Sequence, residues 1–180
     1  AQATGQDMSY VTIDGGAEPG GFARALAEFR AAGGRGMNVT LPFKLQALAA
    51  ADVASADARL AGAANALRFE DGRVEAQNCD GLGLVRDSEV NLGVPLAGRH
   101  VLLLGAGGAT RGALAPIARA GAARIVIANR TAGKAAALAQ EMAPHLPDTV
   151  VEGGGFGDLA PGDAFDIVIN ATAASLAGEA

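Results

Sequence analysis

A single cysteine, Cys79, is all the thiol chemistry this chain possesses. It excludes an internal disulfide and makes the reducing cytosol the expected compartment. Histidine is nearly as scarce, with only His100 and His145. Neither stands at a metal-ligand spacing, and no Cys/His cluster exists. His100 opens an apolar strand and His145 lies between two prolines, so both are expected to be structural. No apolar run approaches the roughly 20 residues of a membrane span, and no basic-then-apolar leader opens the sequence, so a soluble, unexported protein is expected. The net charge of -5 gives no general affinity for nucleic acid or anionic membranes, although a local basic cluster can still hold one anion. What remains is 50% hydrophobic residues over 180 positions, enough to bury one large core or two small ones. The 26 glycines and the alanine-rich background, with 4% aromatics, point to tight packing of helices on sheets.

Along the chain, "SYVTID" (Ser9 to Asp14) has the pattern of a strand. "GGFARALAEFRAAGGRG" follows with Phe22, Leu26 and Phe29 at helical spacing before a glycine stop. "GMNVTLPFK" predicts a short buried strand, Met37 to Leu41, stopped by Pro42, with Lys44 in the first turn of a helix. "FKLQALAAADVASADARLAG" continues in helical residues. "ANALRFEDGRVEAQN" gives two extended runs around Asp71-Gly72, a strong hairpin signal. "DGLGLVRDSEV" reads as a helical connector.

From residue 98 the pattern becomes a regular alternation: "RHVLLLG" strand, "GATRGALAPIARAG" helix, "ARIVIANR" strand, "TAGKAAALAQEMA" helix, "TVVEGG" weak strand, "FDIVINAT" strand. Such alternation implies right-handed crossovers and a parallel sheet. The expected architecture is α/β, a Rossmann-type parallel-sheet domain over 83–180 and a smaller α/β substrate-binding domain over 1–82, with the divide between about Leu82 and Gly98. No internal repeat or low-complexity tail is present.

"LLLGAGGATRGAL" runs from strand through a glycine turn into a helix. Gly105 permits the sharp turn and Gly107 lets the backbone approach a pyrophosphate, which the helix N-terminus then faces. The motif follows a clear strand and opens a βαβ series, so it meets the context a dinucleotide fingerprint requires. Roughly 20 residues on, an NAD site presents an acidic residue to the ribose. Here the second strand instead ends in Asn129, Arg130 and Thr131, with Lys134 one turn further. Guanidinium, hydroxyl and helix N-terminus suit a 2′-phosphate, so NADP is the expected cofactor. The plainer reading is a solvated helix start with Thr131 as N-cap.

Taken in order, "GMNVTLPFK", "GAANAL", "QNCDGLG", "GAGGATR", "ANRTAGKA" and "INAT" closely resemble the shikimate dehydrogenase family over essentially the whole chain. The resemblance implies a first domain that binds shikimate, a second that binds NADP, and catalysis in the cleft between them. It places Lys44 at the catalytic lysine and Asp80 at the catalytic aspartate. Thr40 and Asn65, with Asp80, fall at substrate-hydroxyl contacts. Gly105, Gly107, Gly108 and Ala109 fall at the pyrophosphate turn, Asn129, Arg130, Thr131 and Lys134 at the 2′-phosphate site, and Thr172 beside the cofactor. It also implies reversible NADPH-dependent reduction of 3-dehydroshikimate in aromatic amino acid biosynthesis, in the cytoplasm, by a monomer or homodimer. Ketone reduction needs hydride delivery and a proton donor at the carbonyl oxygen, which a lysine with a carboxylate neighbour can supply. Taken singly, Lys44 is a solvated lysine at a helix start and Asp80 an N-cap for the helix from Gly81. Nothing around Cys79 argues for a nucleophilic thiolate.

The sequence departs from the family pattern at Ala66 and Cys79, where the family has threonine, and at Ala173, Ala174, Ser175 and Leu176 after "INAT". Altered affinity rather than a new reaction is expected. The family's first strand and its closing elements have no counterpart, so an internal piece with an exposed sheet edge and little turnover of its own is expected. Two alternatives stand beside this reading. One is a quinate/shikimate enzyme accepting NAD, against which Arg130 speaks; the other is a non-catalytic ligand sensor, which has no need of the Lys44 and Asp80 pair.

Overall fold

The structure is a computed structural model that describes residues 5–160 and 162–172; the departures after "INAT" lie outside the described residues. Helix α1 (Gly21–Ala31) starts after Gly20, whose φ of 81° is left-handed, and buries Phe22 and Leu26. Strand β1 (Gly36–Asn38), helix α2 (Lys44–Ala49), strand β2 (Val53–Ala54), helix α3 (Ala56–Ala61) and strands β3 (Ala66–Glu70) and β4 (Arg73–Gln77) follow. The sheet order is β1-β3-β4-β2, with β2 parallel to β4 and the other pairs antiparallel. Its core joins Phe22 and Leu26 to Val39, Leu67, Val74 and Ala76. Phe22 and Phe43 stack at 5.4 Å between centroids. The hairpin forms where Asp71-Gly72 predicts it, both residues at positive φ (49° and 76°).

Helix α4 (Asp80–Arg86) runs on through a π-turn (Asp87–Asn91) to the second sheet. There β5 (His100–Leu104), α5 (Gly108–Arg119), β6 (Arg124–Asn129), α6 (Ala132–Met142), β7 (Val150–Gly155) and β8 (Ile167–Asn170) alternate as expected. All strands are parallel, in the order β7-β6-β5-β8. Successive strands march outward from β5 in one direction, and β8 then returns to its other side. That reversal opens a crevice at the carboxyl end of β5, where open α/β sheets bind ligands. Val101, Leu103, Leu114, Ile117, Ile125 and Ile127 fill the core under α5 and α6.

Three expectations change. Ser9 to Asp14 is not a strand: Tyr10 and Val11 stand exposed, and no ladder partner lies beside this segment among the described residues. Alternation alone does not make a strand without a partner for its backbone. The strand expected over Met37 to Leu41 ends at Asn38, and residues 41–43 form a turn that delivers Lys44 to the start of α2. The long helix expected after Phe43 is two helices split by β2. Asp52 N–H donates to the Val74 carbonyl at 2.9 Å, and Asp52 Oδ2 accepts from Val74 N–H at 2.7 Å. Ser55 then caps α3 by accepting from Ala58 N–H at 3.1 Å. Edge pairing and a cap, at the weaker helix formers Asp52, Val53 and Ser55, outweigh the high helix propensity of the alanines around them.

The sheets are tied through helices. Arg111 of α5 donates to the Leu60 carbonyl at the end of α3 (3.3 Å) and to Glu141 Oε1 of α6 (2.8 Å). Arg119 pairs with Asp57. At the far end of the parallel sheet, Asp166 N–H donates to the His100 carbonyl while Asp166 Oδ2 accepts from His100 N–H at 2.8 Å, with Arg99 alongside. The His100 backbone N–H, helped by Arg99, holds the Asp166 carboxyl below its ordinary range. A lowered carboxyl contributes stability above its unfolded-state pKa and loses it as pH falls through the folded-state value. Asp166→Asn is therefore expected to lower stability near neutrality, to converge on wild type at low pH where the carboxyl is protonated in both states, and so to flatten the acid side of the profile below about pH 4, as read by urea midpoints across pH.

Candidate active site

Lys44 and Asp80, 36 residues apart in sequence, meet with Nζ 2.6 Å from Oδ2. Lys44 is set by the turn that opens α2, and its own carbonyl accepts from Ala64 N–H at 2.9 Å, which fixes α2 against the segment leading into β3. Asn65 stands on that segment. Its Nδ2 donates to Asp80 Oδ1 at 2.6 Å, and its Oδ1 accepts from Cys79 N–H at 2.9 Å. Both carboxylate oxygens of Asp80 are thus engaged. Asp80 is the first residue of α4 rather than the residue before it, so its side chain goes to Lys44 and Asn65 instead of capping the helix. Asn78, 4% exposed, supplies the acceptor that Asp80 N–H needs, at 3.2 Å.

These groups line a cleft of about 370 Å³ bounded by Asn38, Val39, Thr40, Ala66 and Cys79. Thr40 lies on its wall, and Asn38 adds an amide that donates to the Tyr10 hydroxyl at 3.1 Å. The Lys44 and Asp80 side chains are 25% and 44% exposed, so the pair contributes about 0–1 kcal/mol to stability. Its value is geometric: an ammonium held by a carboxylate at the mouth of a polar cleft.

The second site begins at β5. Gly105 has φ 102°, and a Cβ there would meet the Ala171 carbonyl oxygen at 3.1 Å and Thr172 Cγ2 at 3.3 Å. Here glycine is required both by conformation and by the chain after β8. Thr110, buried, donates from Oγ1 to the Gly105 carbonyl at 2.7 Å and closes the turn. Gly107 and Gly108, at the cap and first position of α5, face open space: a Cβ on either would meet nothing within 4 Å. The turn, Ala109 included, therefore presents free backbone N–H groups at the positive end of a 12-residue helix, a cradle that fits a pyrophosphate. Thr172 turns back on Asn170, donating to its Oδ1 from both N–H (3.0 Å) and Oγ1 (2.7 Å).

At the end of β6, Asn129 donates from Nδ2 to the Thr131 carbonyl at 3.0 Å, shaping the loop. Thr131 occupies the N-cap of α6, but its hydroxyl makes no capping bond. Arg130 and Lys134 are exposed and enter no ion pair among the described residues. Two unpaired cations beside an uncommitted hydroxyl and a helix N-terminus fit an additional phosphate.

The structure thus gathers Lys44, Asp80, Asn65 and Thr40 in one cleft, and the predicted nucleotide residues around two helix starts. The two groups adjoin through α4 and α5. Gly81, next to Asp80, abuts Gly112, which lies about 6 Å along α5 from Gly108. Sequence reasoning missed Asn38, Asn78 and Thr110. Asn38 and Asn78 sit inside motifs that drew attention for their neighbours, and Thr110 carries no pattern of its own.

Two family models match: one described as the shikimate dehydrogenase substrate binding domain, over residues 1–67, and one described as shikimate / quinate 5-dehydrogenase, over residues 88–177. A shikimate dehydrogenase (NADP(+)) of Aromatoleum aromaticum is 51% identical over 180 residues, covering 100% of this chain and 63% of its own. Among solved structures, the Ael1 enzyme from Pseudomonas putida is 50% identical with a TM-score of 0.89, covering 99% of this chain and 64% of its own. A shikimate dehydrogenase solved in complex with NADP+ is 34% identical with a TM-score of 0.74, covering 87% and 54%. The chain therefore spans somewhat less than two thirds of the length of these relatives.

Thr110→Val keeps the shape and removes the hydroxyl that closes the glycine turn. It is expected to lower unfolding free energy by about 1–3 kcal/mol, measured by chemical denaturation, because the Gly105 carbonyl loses its buried donor.

Proposed function

Because the chain belongs to the shikimate dehydrogenase family, we propose that the protein interconverts 3-dehydroshikimate and shikimate with NADPH and NADP+, in the cytoplasm, on the route to aromatic amino acids. The observation that carries this reading is the 2.6 Å contact between Lys44 Nζ and Asp80 Oδ2 in a polar cleft, with Asp80 heading a helix that packs on α5, the helix the glycine turn opens. Residues 1–82 supply the substrate side and residues 83–180 the cofactor side. The partner is a small molecule, and sedimentation of the protein decides between monomer and homodimer.

The nicotinamide cofactor, when bound, supplies or accepts the hydride. Gly105, Gly107, Gly108 and Ala109 would hold its pyrophosphate through the N-terminus of α5. Arg130, Thr131 and Lys134 would hold its 2′-phosphate on a loop shaped by Asn129, and Thr172 would border it near the turn. The remaining work belongs to the cleft. Lys44 gives a proton to the C3 oxygen in reduction and takes it back in oxidation, and Asp80 holds both the ammonium and the substrate hydroxyl. Asn65 has already committed one amide hydrogen to Asp80 and one lone pair to Cys79 N–H, which leaves one N–H for a ring hydroxyl. Thr40 offers its hydroxyl from the lining of the same cleft.

Arg130 favours this reading over an NAD-using quinate enzyme, since its guanidinium has no protein partner among the described residues and gains one from a 2′-phosphate. The test is a cross of shikimate and quinate with NADP+ and NAD+, followed by absorbance of the reduced cofactor. NADP+ with shikimate is expected to dominate. Turnover of quinate with NAD+ at a comparable rate would overturn the assignment, and ligand binding without turnover would favour a sensor.

Two variants sharpen it. Lys44→Ala is expected to lower kcat by about 10²–10⁴-fold, the usual worth of a positioned acid-base group, with cofactor affinity preserved. Arg130→Ala is expected to raise KM for NADP+ by roughly ten-fold or more and leave KM for NAD+ nearly unchanged, because the lost contact is a charge-assisted one to a single phosphate.

A further inference from the structure

Asp80 is flanked by two residues that bear on where it can stand. Asn78, 4% exposed, has both polar atoms of its amide engaged: Nδ2 donates to the Ala63 carbonyl at 3.1 Å and Oδ1 accepts from Asp80 N–H at 3.2 Å. One side chain thus ties the backbone of Asp80 to the loop that carries Asn65. The same amide lies against α5, since a Cβ on Gly112 would stand 3.5 Å from Asn78 Oδ1. On the other flank, a Cβ on Gly81 would meet the Gly112 carbonyl oxygen at 2.4 Å, Pro116 Cγ at 2.6 Å and Ala113 Cα at 3.0 Å. Two of those atoms are helix backbone and cannot swing aside. Even one methyl group at Gly81 requires α4 and α5 to separate.

We infer that Asn78 and Gly81 are positioning residues that together set the distance between the proton-transfer pair and the nucleotide turn. Asn78 fixes Asp80 to the Asn65 loop, and Gly81 brings that unit into backbone contact with the helix whose first turn carries Gly107 and Gly108. Neither residue touches the cleft opening; both act through Asp80. The inference rests on the dehydrogenase reading of Lys44 and Asp80. It adds that hydride and proton transfer are brought into register by a contact between two helix backbones.

The seam supplies its own control. At Gly112 the added Cβ has ordinary contacts, 3.5 Å to Asn78 Oδ1 and 3.8 Å to Ala61 Cβ, so Gly112→Ala fits where Gly81→Ala does not. In the full-length protein, Gly81→Ala and Asn78→Ala are expected to lower kcat per NADPH-binding site by on the order of 100-fold, the cost of an ångström-scale misplacement. The dissociation constant for NADPH should stay within about two-fold, because its groups lie at the helix starts, and that for shikimate should rise far less than kcat falls, because Lys44, Asn65 and Thr40 remain to hold it. The isotope effect with deuterated NADPH should rise as hydride transfer becomes limiting. Gly112→Ala should behave as wild type in all three.

A variant that merely loses folded protein would lower the number of NADPH sites, leaving kcat per site and the isotope effect unchanged, and that result overturns the inference. So does equal impairment by Gly112→Ala. Should Gly81→Ala not fold, Asn78→Ala carries the same test. If the wild-type protein does not turn over shikimate, the dehydrogenase reading fails by itself. Crystal structures of the two glycine variants then decide the spacing: α4 displaced from α5 in Gly81→Ala alone supports it, and superposable structures overturn it.

Discussion

The approach of α4 to α5 at Gly81 is the constraint on which the rest of this structure depends. A helix pair normally keeps 8–10 Å between axes because side chains intervene. Here the face of α4 at Gly81 has no side chain and meets the Gly112 carbonyl and Pro116 directly. The consequence is local and large. Asp80, one residue before the contact, is delivered to the flank of the helix whose N-terminus caps the β5 crevice. Arg111 and Arg119 reinforce the placement from the other side by tying α5 to α3. Both are long, partly exposed side chains whose ion pairs are worth little singly. The backbone contact sets the distance; the arginines hold it.

Within the cleft, the arrangement trades stability for reach. Lys44 and Asp80 are too exposed to gain much from their attraction, yet their geometry is over-determined. Lys44 is anchored through its own carbonyl to Ala64, and Asp80 through its backbone to Asn78 and its carboxylate to Asn65. Preorganisation of this kind removes the orientational cost that a floppy pair would meet in the proposed proton transfer. A partly solvated pair can also exchange its proton with bulk water, which a fully buried one could not do readily.

How much of this could be seen in the sequence depended on whether the signal was local. The parallel sheet, the hairpin at Asp71-Gly72, the glycine turn and the position of Lys44 at a helix start were all legible, because each is written in adjacent residues. The failures were all questions of partnership. Ser9 to Asp14 alternates like a strand but has no ladder partner among the described residues, and the helix after Phe43 is interrupted because β4 offers Asp52 and Ser55 a better set of hydrogen bonds. Thr110 and Asn78 were illegible for the same reason: a hydroxyl aimed at Gly105 and an amide shared by Ala63 and Asp80 are properties of the fold. That Lys44 and Asp80 belong together came from resemblance to the family, not from their spacing.

The two departures from the family pattern in this cleft can be weighed on the same footing. Cys79 replaces a hydroxyl, but position 79 enters the network through its backbone, donating N–H to Asn65 Oδ1 at 2.9 Å, while its thiol is exposed. Any residue except proline keeps that bond. Ala66 stands in register with Asn38 on one side and Gln77 on the other, so the sheet holds Asn65 whatever side chain follows it. Both changes therefore remove a hydroxyl from the wall and leave the frame that orients Asp80 intact. The chemistry of the pair and the affinity of the cleft rest on different atoms of the same residues: backbone for the first, side chain for the second. A sequence can then drift in what the pocket grips while holding fixed the geometry of the lysine–carboxylate pair.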